Sequence, residues 1–242
     1  MAHGRLGHGD RSTNEAFAPL ATYAERIGAL LDDVAALGFQ AVDVWGAHLN
    51  PEWATDAHVD LAAAALDERG LTVAAYEVFV APAHLERACR IAQRLGTSVL
   101  SGFVPAEDER LPALLEQRGL RVALENHPEP TPEAMLERVG GRPHAGVCVD
   151  TGWFATQGYD PARAIEELGG LVFHVHLKDV LREGEPHETC AWGEGVVDVK
   201  ACVRALQRVG YTGAFTVEHE PEDHDPSEEI RAMREQLEAW LG

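Results

Sequence analysis

Four stretches of this sequence end in the same kind of chemistry. "RVALENHP" (121–128) closes on Glu125, Asn126 and His127, and "HAGVCVDTGW" (144–153) carries Asp150. "LVFHVHLKDV" (171–180) holds His174, His176, Lys178 and Asp179, and "GAFTVEHEP" (213–221) holds Glu218, His219 and Glu220. Each reads as a β-strand, in which alternate side chains share a face. Glu125 and His127 then lie with Ala123, Asp150 with Cys148, and Glu218 with Thr216. His174, His176 and Lys178 share one face, where a buried strand would normally place apolar residues. Carboxylates gathered from successive strand ends into a low-dielectric space repel one another and take up protons. A divalent cation removes that problem. Three carboxylates and an imidazole offer hard oxygens and one nitrogen, a set that suits Mn²⁺, Mg²⁺, Co²⁺ or Zn²⁺ without choosing among them. Any one of these residues alone reads as a hydrogen-bonded loop residue; their succession on consecutive strands points to metal binding.

The elements that position these residues alternate through the chain. "QAVDVWGAHL" (40–49), "LTVAAYEVFV" (71–80) and "TSVLSGFV" (97–104) read as strands, and "GRLGHG" (4–9) as a weak first one. Helical patterns fall at 22–38, 56–70, 81–96, 108–119, 131–140, 161–170, 198–211 and 227–241. Gly70 and Gly96 supply C-terminal stops, and Asp225 or Ser227 a cap for the last helix. Helical crossovers imply parallel strands. About eight strand–helix units in 242 residues fit a single (β/α)8 TIM barrel of the α/β class, one domain over residues 1–242. An open doubly wound sheet is the alternative, but no GxGxxG follows the first strand. In a barrel the site lies at the C-terminal strand ends, where the four polar clusters fall.

Composition sets outer limits. The formal net charge of −20 repels phosphate backbones and anionic membranes, so nucleic acid and membrane are not expected partners. Cys89, Cys148, Cys190 and Cys202 are far apart with no CxxC pair, which favours a reducing compartment. With no apolar leader segment or membrane-length run, a cytoplasmic protein is expected.

The series "LENHP", "CVDTGW", "HVHLKD", "WGEGVVD" and "GYTGAFTVEHEP", in that order, resembles the xylose isomerase-like barrel superfamily, most closely its sugar and polyol isomerases and epimerases. The resemblance implies one divalent metal held by Glu125, Asp150, His176 and Glu218. It also implies that Glu125 and Glu218 act as the acid/base pair. They would shuttle a proton next to the carbonyl of a small sugar or polyol-derived compound, through a metal-stabilised enediolate. Lys178 is then expected near the mouth, on a substrate oxygen or a carboxylate. His127 is expected to contact substrate or orient Glu125, and His48 and Glu77 to reach the mouth. Trp45, Trp153 and Trp192 either wall a sugar pocket or pack in the core. His174, deeper on its strand, reads as a satisfied interior histidine. "WGEGVVD" (192–198) has two glycines able to offer N–H groups to a phosphate, but with no adjacent basic cluster a free substrate is favoured. Many relatives have histidine where Trp153 stands, which puts that substrate contact in question and weakens the DNA-repair reading. Keto-polyol dehydration on the same site is the nearest rival. Phosphodiester cleavage and a non-catalytic metal-binding barrel are further alternatives. The resemblance leaves room for a homo-oligomer, for which the sequence holds no interface signature.

Overall fold

A computed structural model describes residues 10–127, 129–221 and 223–242. The chain forms two compact units, one reaching Val122 and including 223–225, the other covering Ala123–Pro221 and Pro226–Gly242. The expected first strand, 4–9, lies outside the described residues.

The first unit opens with α1 (Asp10–Phe17) and α2 (Leu20–Ala36). It continues through β1 (Ala41–Trp45), α3 (Asp56–Glu68), β2 (Thr72–Phe79), α4 (Leu85–Arg94), β3 (Val99–Phe103) and α5 (Leu111–Arg118). β1, β2 and β3 pair in parallel in that order. The helices form because their apolar residues recur at helical spacing. α4 buries Leu85, Ala88, Cys89, Ile91 and Ala92 and turns Glu86, Arg90 and Arg94 outward. α3 stops where Gly70 takes a φ of +63°, which a residue with a Cβ adopts only at a cost.

The boundary between the units falls inside β4 (Arg121–Glu125). The second unit continues with α6 (Pro132–Val139), β5 (Ala145–Asp150), α7 (Thr151–Thr156), α8 (Pro161–Leu168) and β6 (Val172–Leu177). After the short hairpin of β7 (Asp179–Val180) and β8 (Thr189–Cys190) come α9 (Val199–Arg208), β9 (Thr216–Val217) and α10 (Ser227–Leu241). β4, β5, β6 and β9 follow one another in the sheet. β5 is buried along its whole length, as a parallel strand covered on both faces must be. Register places Asp150 beside His176 and His176 beside Thr216.

Three expectations are corrected. The strand expected over 171–180 breaks at Lys178, and its last two residues form the separate β7. The strand expected over 213–221 shrinks to Thr216–Val217, because the Tyr211 hydroxyl donates to Ala214 O (2.7 Å) and its ring packs on Gly213, holding that stretch in a turn. The residue that precedes α10 is Pro226, with no side-chain cap.

Candidate metal centre

Strand ends bring the four expected ligands of the second unit together. One ligand atom each from Glu125, Asp150, His176 and Glu218 lies within 4.8 Å of the others. His176 Nδ1 is 3.0 Å from Glu125 Oε1 and 2.9 Å from Glu218 Oε2. One ring nitrogen carries at most one proton, so it can donate to only one of these carboxylates. Glu218 Oε2 and Asp150 Oδ2 are buried oxygens with no well-directed hydrogen bond among the described residues.

Each candidate ligand is held from behind. Asp150 ends β5 and begins α7, where its Oδ1 accepts from Trp153 N at 2.9 Å. Asn126 clamps its backbone twice, accepting from Asp150 N (2.7 Å) and donating to Asp150 O (3.0 Å). Arg138 donates to Glu125 O at 2.8 Å and pairs with Glu129 at 3.1 Å. Glu218 N donates to Leu177 O at 3.1 Å and so prolongs the ladder past β9. Buried His174 packs edge-on to His176, with Nε2 3.4 Å from the Thr216 hydroxyl.

Lys178 supplies the charge that the carboxylates need. Its Nζ lies 3.0 Å from Asp150 Oδ2, 2.9 Å from Glu218 Oε1 and 3.2 Å from Glu220 Oε2, and the residue is only 2% exposed. The stem runs over Gly152, where a Cβ would sit 2.8 Å from Lys178 Cδ. Thr151 locks the same backbone, accepting from Lys178 N at 2.8 Å and donating to Lys178 O at 2.7 Å. "DTG" is thus a candidate ligand, a strand clamp and a space for the lysine. Burial works against the ammonium, but Asp150, Glu218 and Glu220 outweigh it and hold Lys178 well above its ordinary value. Burial also opposes the charge on Glu218, yet Lys178 and His176 prevail and keep that carboxyl below its usual range. Asp150 fares differently: burial pushes it up to about 7, with Glu218 and Glu125 adding to the rise against the pull of Lys178. One ammonium cannot serve both carboxylates fully, and Asp150 is the one that takes a proton first.

The donor set fits a divalent cation. Three candidate carboxylates face one buried ammonium, and two of their oxygens, Glu218 Oε2 and Asp150 Oδ2, are buried with no well-directed hydrogen bond among the described residues.

The remaining expected residues divide. His127 lies against Trp153, ring centroids 3.9 Å apart, and Trp153 stacks on His187 from the β7–β8 loop, again at 3.9 Å. Sequence reasoning missed His187, which stands in a loop with no period to mark it. It missed Thr151 as well. Glu220 contacts Lys178 but is otherwise exposed. Trp192 packs in the core, stacked on Trp240 and donating to Leu177 O at 3.3 Å. Gly193 and Gly195 do not hold their N–H groups free for a phosphate: both donate to Asp179 Oδ2, at 2.9 and 3.1 Å, while Val180 and Val197 donate to Oδ1. His48, Trp45 and Glu77 belong to the first unit. His48 sits between the rings of Phe17 (4.7 Å) and Trp45 (5.3 Å), and Glu77 lies over Gly102.

A family model described as xylose isomerase-like TIM barrel matches residues 31–240. The chain belongs to that family. Its fold is accordingly the α/β TIM barrel. Solved structures share it. The xylose isomerase domain protein from Planctomyces limnophilus superposes with a TM-score of 0.69 at 23% identity, covering 88% of this chain and 91% of that one. The IolI protein with a bound zinc atom gives 0.70 at 18%, over 87% and 91%. D-psicose 3-epimerase in the presence of D-fructose gives 0.70 at 17%, over 89% and 94%. None of the curated proteins matches the sequence. Among the described residues of this xylose isomerase-like barrel, no helix is long and apolar enough to cross a membrane.

Proposed function

We propose that this protein is a divalent-metal-dependent isomerase or epimerase of a free small sugar or polyol-derived carbonyl compound. The observation that carries the reading is the buried convergence of Glu125, Asp150, His176 and Glu218 within 4.8 Å. These four would hold the metal, which when bound supplies Lewis acidity toward a carbonyl and its neighbouring hydroxyl. The chain's own groups do the rest. Lys178 keeps Glu218 ionised, the state needed to take a proton from carbon. Glu125, across His176 from Glu218, is the second carboxylate and returns or removes the proton on its own side. Asn126 and the Trp153 amide fix Asp150 in one orientation. The Trp153 face suits the C–H face of a sugar. The commitment of the Gly193 and Gly195 amides to Asp179 supports an unphosphorylated substrate. The solved relatives named for an epimerase and for bound zinc agree with this class.

Elemental analysis of the purified protein beside Asp150→Ala/His176→Ala is the first test. About one divalent metal per chain is expected for wild type and none for the double variant. Incubation of the loaded protein with free ketoses in D₂O should then place deuterium on the carbon beside the carbonyl, with loss in Glu218→Gln. A rise in ultraviolet absorbance instead would mark the dehydratase. Wild type that stays empty after titration with Mn²⁺, Mg²⁺, Co²⁺ and Zn²⁺ would sink the proposal.

A further inference from the structure

Three aromatic rings form a stack in the second unit. Trp153 from α7 lies parallel to His187, with planes 6° apart, and tilted at 50° to His127. All three residues are half-buried. His187 is held at several points. Its Nδ1 lies 2.7 Å from the Thr156 hydroxyl, and its backbone N donates to Glu185 Oε2 at 3.1 Å. Gly184 N donates to Thr156 O at 2.9 Å, tying the same loop to α7. The other ring nitrogen, Nε2, is buried and has no hydrogen-bond partner among the described residues. Burial first, and then the charge of Lys178, lowers the imidazole to about 4, against the pull of Glu218 and Glu125. The ring is therefore neutral at pH 7 and lies within the field of the candidate centre.

A fixed neutral imidazole with one unused nitrogen is a directional site for a single hydrogen bond. If the Thr156 hydroxyl donates to Nδ1, Nε2 is an N–H donor; in the other tautomer it accepts. A hydroxyl partner satisfies either case, and it relieves a buried polar atom that is costly to leave unpaired. An anionic partner is disfavoured, because the ring carries no charge and the surrounding groups are largely acidic. We propose that His187 is a substrate-recognition residue whose Nε2 bonds one hydroxyl of a free sugar or polyol while Trp153 packs on the C–H face of the same molecule. This rests on the function proposed above and names a determinant of its specificity.

The test uses xylitol and D-fructose as probes of the Mn²⁺-loaded protein, with binding followed by calorimetry and tryptophan fluorescence. His187→Phe keeps a ring on Trp153 and removes both nitrogens; His187→Gln returns an amide near the position of Nε2. We expect His187→Phe to bind both probes about tenfold more weakly, with Mn²⁺ affinity and thermal midpoint unchanged, and His187→Gln to recover part of the loss. Equal binding by wild type and His187→Phe would overturn the inference alone. A His187→Phe variant that also lost Mn²⁺ or thermal stability would assign the residue a structural role and overturn it too. Wild type that takes up Mn²⁺ but binds neither probe would overturn the substrate class, and the inference with it.

Discussion

Lys178 is the residue whose removal most directly exposes the charge problem of the site. Lys178→Met keeps an apolar stem over Gly152 and takes the ammonium away from Asp150 and Glu218. Breaking a buried pair in this way costs about 3–5 kcal/mol, less whatever is recovered when an orphaned carboxyl takes up a proton. The metal-free variant should therefore lose about 3 kcal/mol at pH 8 and clearly less at pH 5, where Asp150 is protonated and no longer needs the ammonium. Urea unfolding at the two pH values measures this, and equal losses would reduce the lysine's contribution to packing. His48 makes a separate prediction in the first unit. Burial lowers its imidazole from 6.5 to about 4, so between those values the unfolded chain binds a proton that the folded chain refuses. Its contribution to stability is intact above pH 6.5 and is lost as pH falls toward 4. His48→Asn should flatten the acid limb of the thermal-midpoint profile, whereas an unchanged limb would place the ring in contact with water. The convergence of Glu125, Asp150, His176 and Glu218 was legible in the sequence because strand parity puts alternate side chains on one face. His187 was not, since its partner Trp153 is joined to it only through space.

At the level of elements, Asp179 organises the turn after the hairpin. Its carboxylate accepts from the N–H groups of Val180, Gly193, Gly195 and Val197, and a Cβ on Gly195 would collide with it. Asp179→Ala orphans four donors at about 1–3 kcal/mol each if they stay buried, so the segment should open to water instead. Hydrogen exchange ought to quicken at 193–197 while β5 and β6 keep their protection. Exchange that quickened equally throughout would make Asp179 a determinant of global stability. The legibility of elements followed their length. α2, α3 and α10 each span several turns, and their apolar spacing located them closely. α7 has six residues and the hairpin strands two each, too few for any period to register. The polar ends of β4 and β5 were read correctly, but the helix that starts at once after Asp150, and that the Asp150 side chain itself caps, was not.

Over the whole molecule the net charge of −20 is the dominant electrostatic fact. Exposed pairs such as Arg94–Asp60 and Arg163–Glu167 offset it little, because their charges stand in water and are screened by salt. Raising NaCl from about 10 to 150 mM shortens the screening length from roughly 30 to 8 Å and should weaken self-repulsion more than it weakens these pairs. The thermal midpoint of the chelator-treated protein should rise with salt in differential scanning fluorimetry. A fall would show the pairs to be the larger effect. The expected parallel strand–helix alternation was recovered at this scale, although the first strand, 4–9, lies outside the described residues. The boundary between the two compact units also bears on descent. Because it falls at Val122, every donor of the candidate centre, together with Lys178 and the Trp153 stack, is encoded downstream of a single point in the gene. A recombination event there transmits the four candidate donors as one heritable block. Chimeras cut between 122 and 123 would sample new ancestries for the first segment while the inheritance of the four candidate donors stays constant.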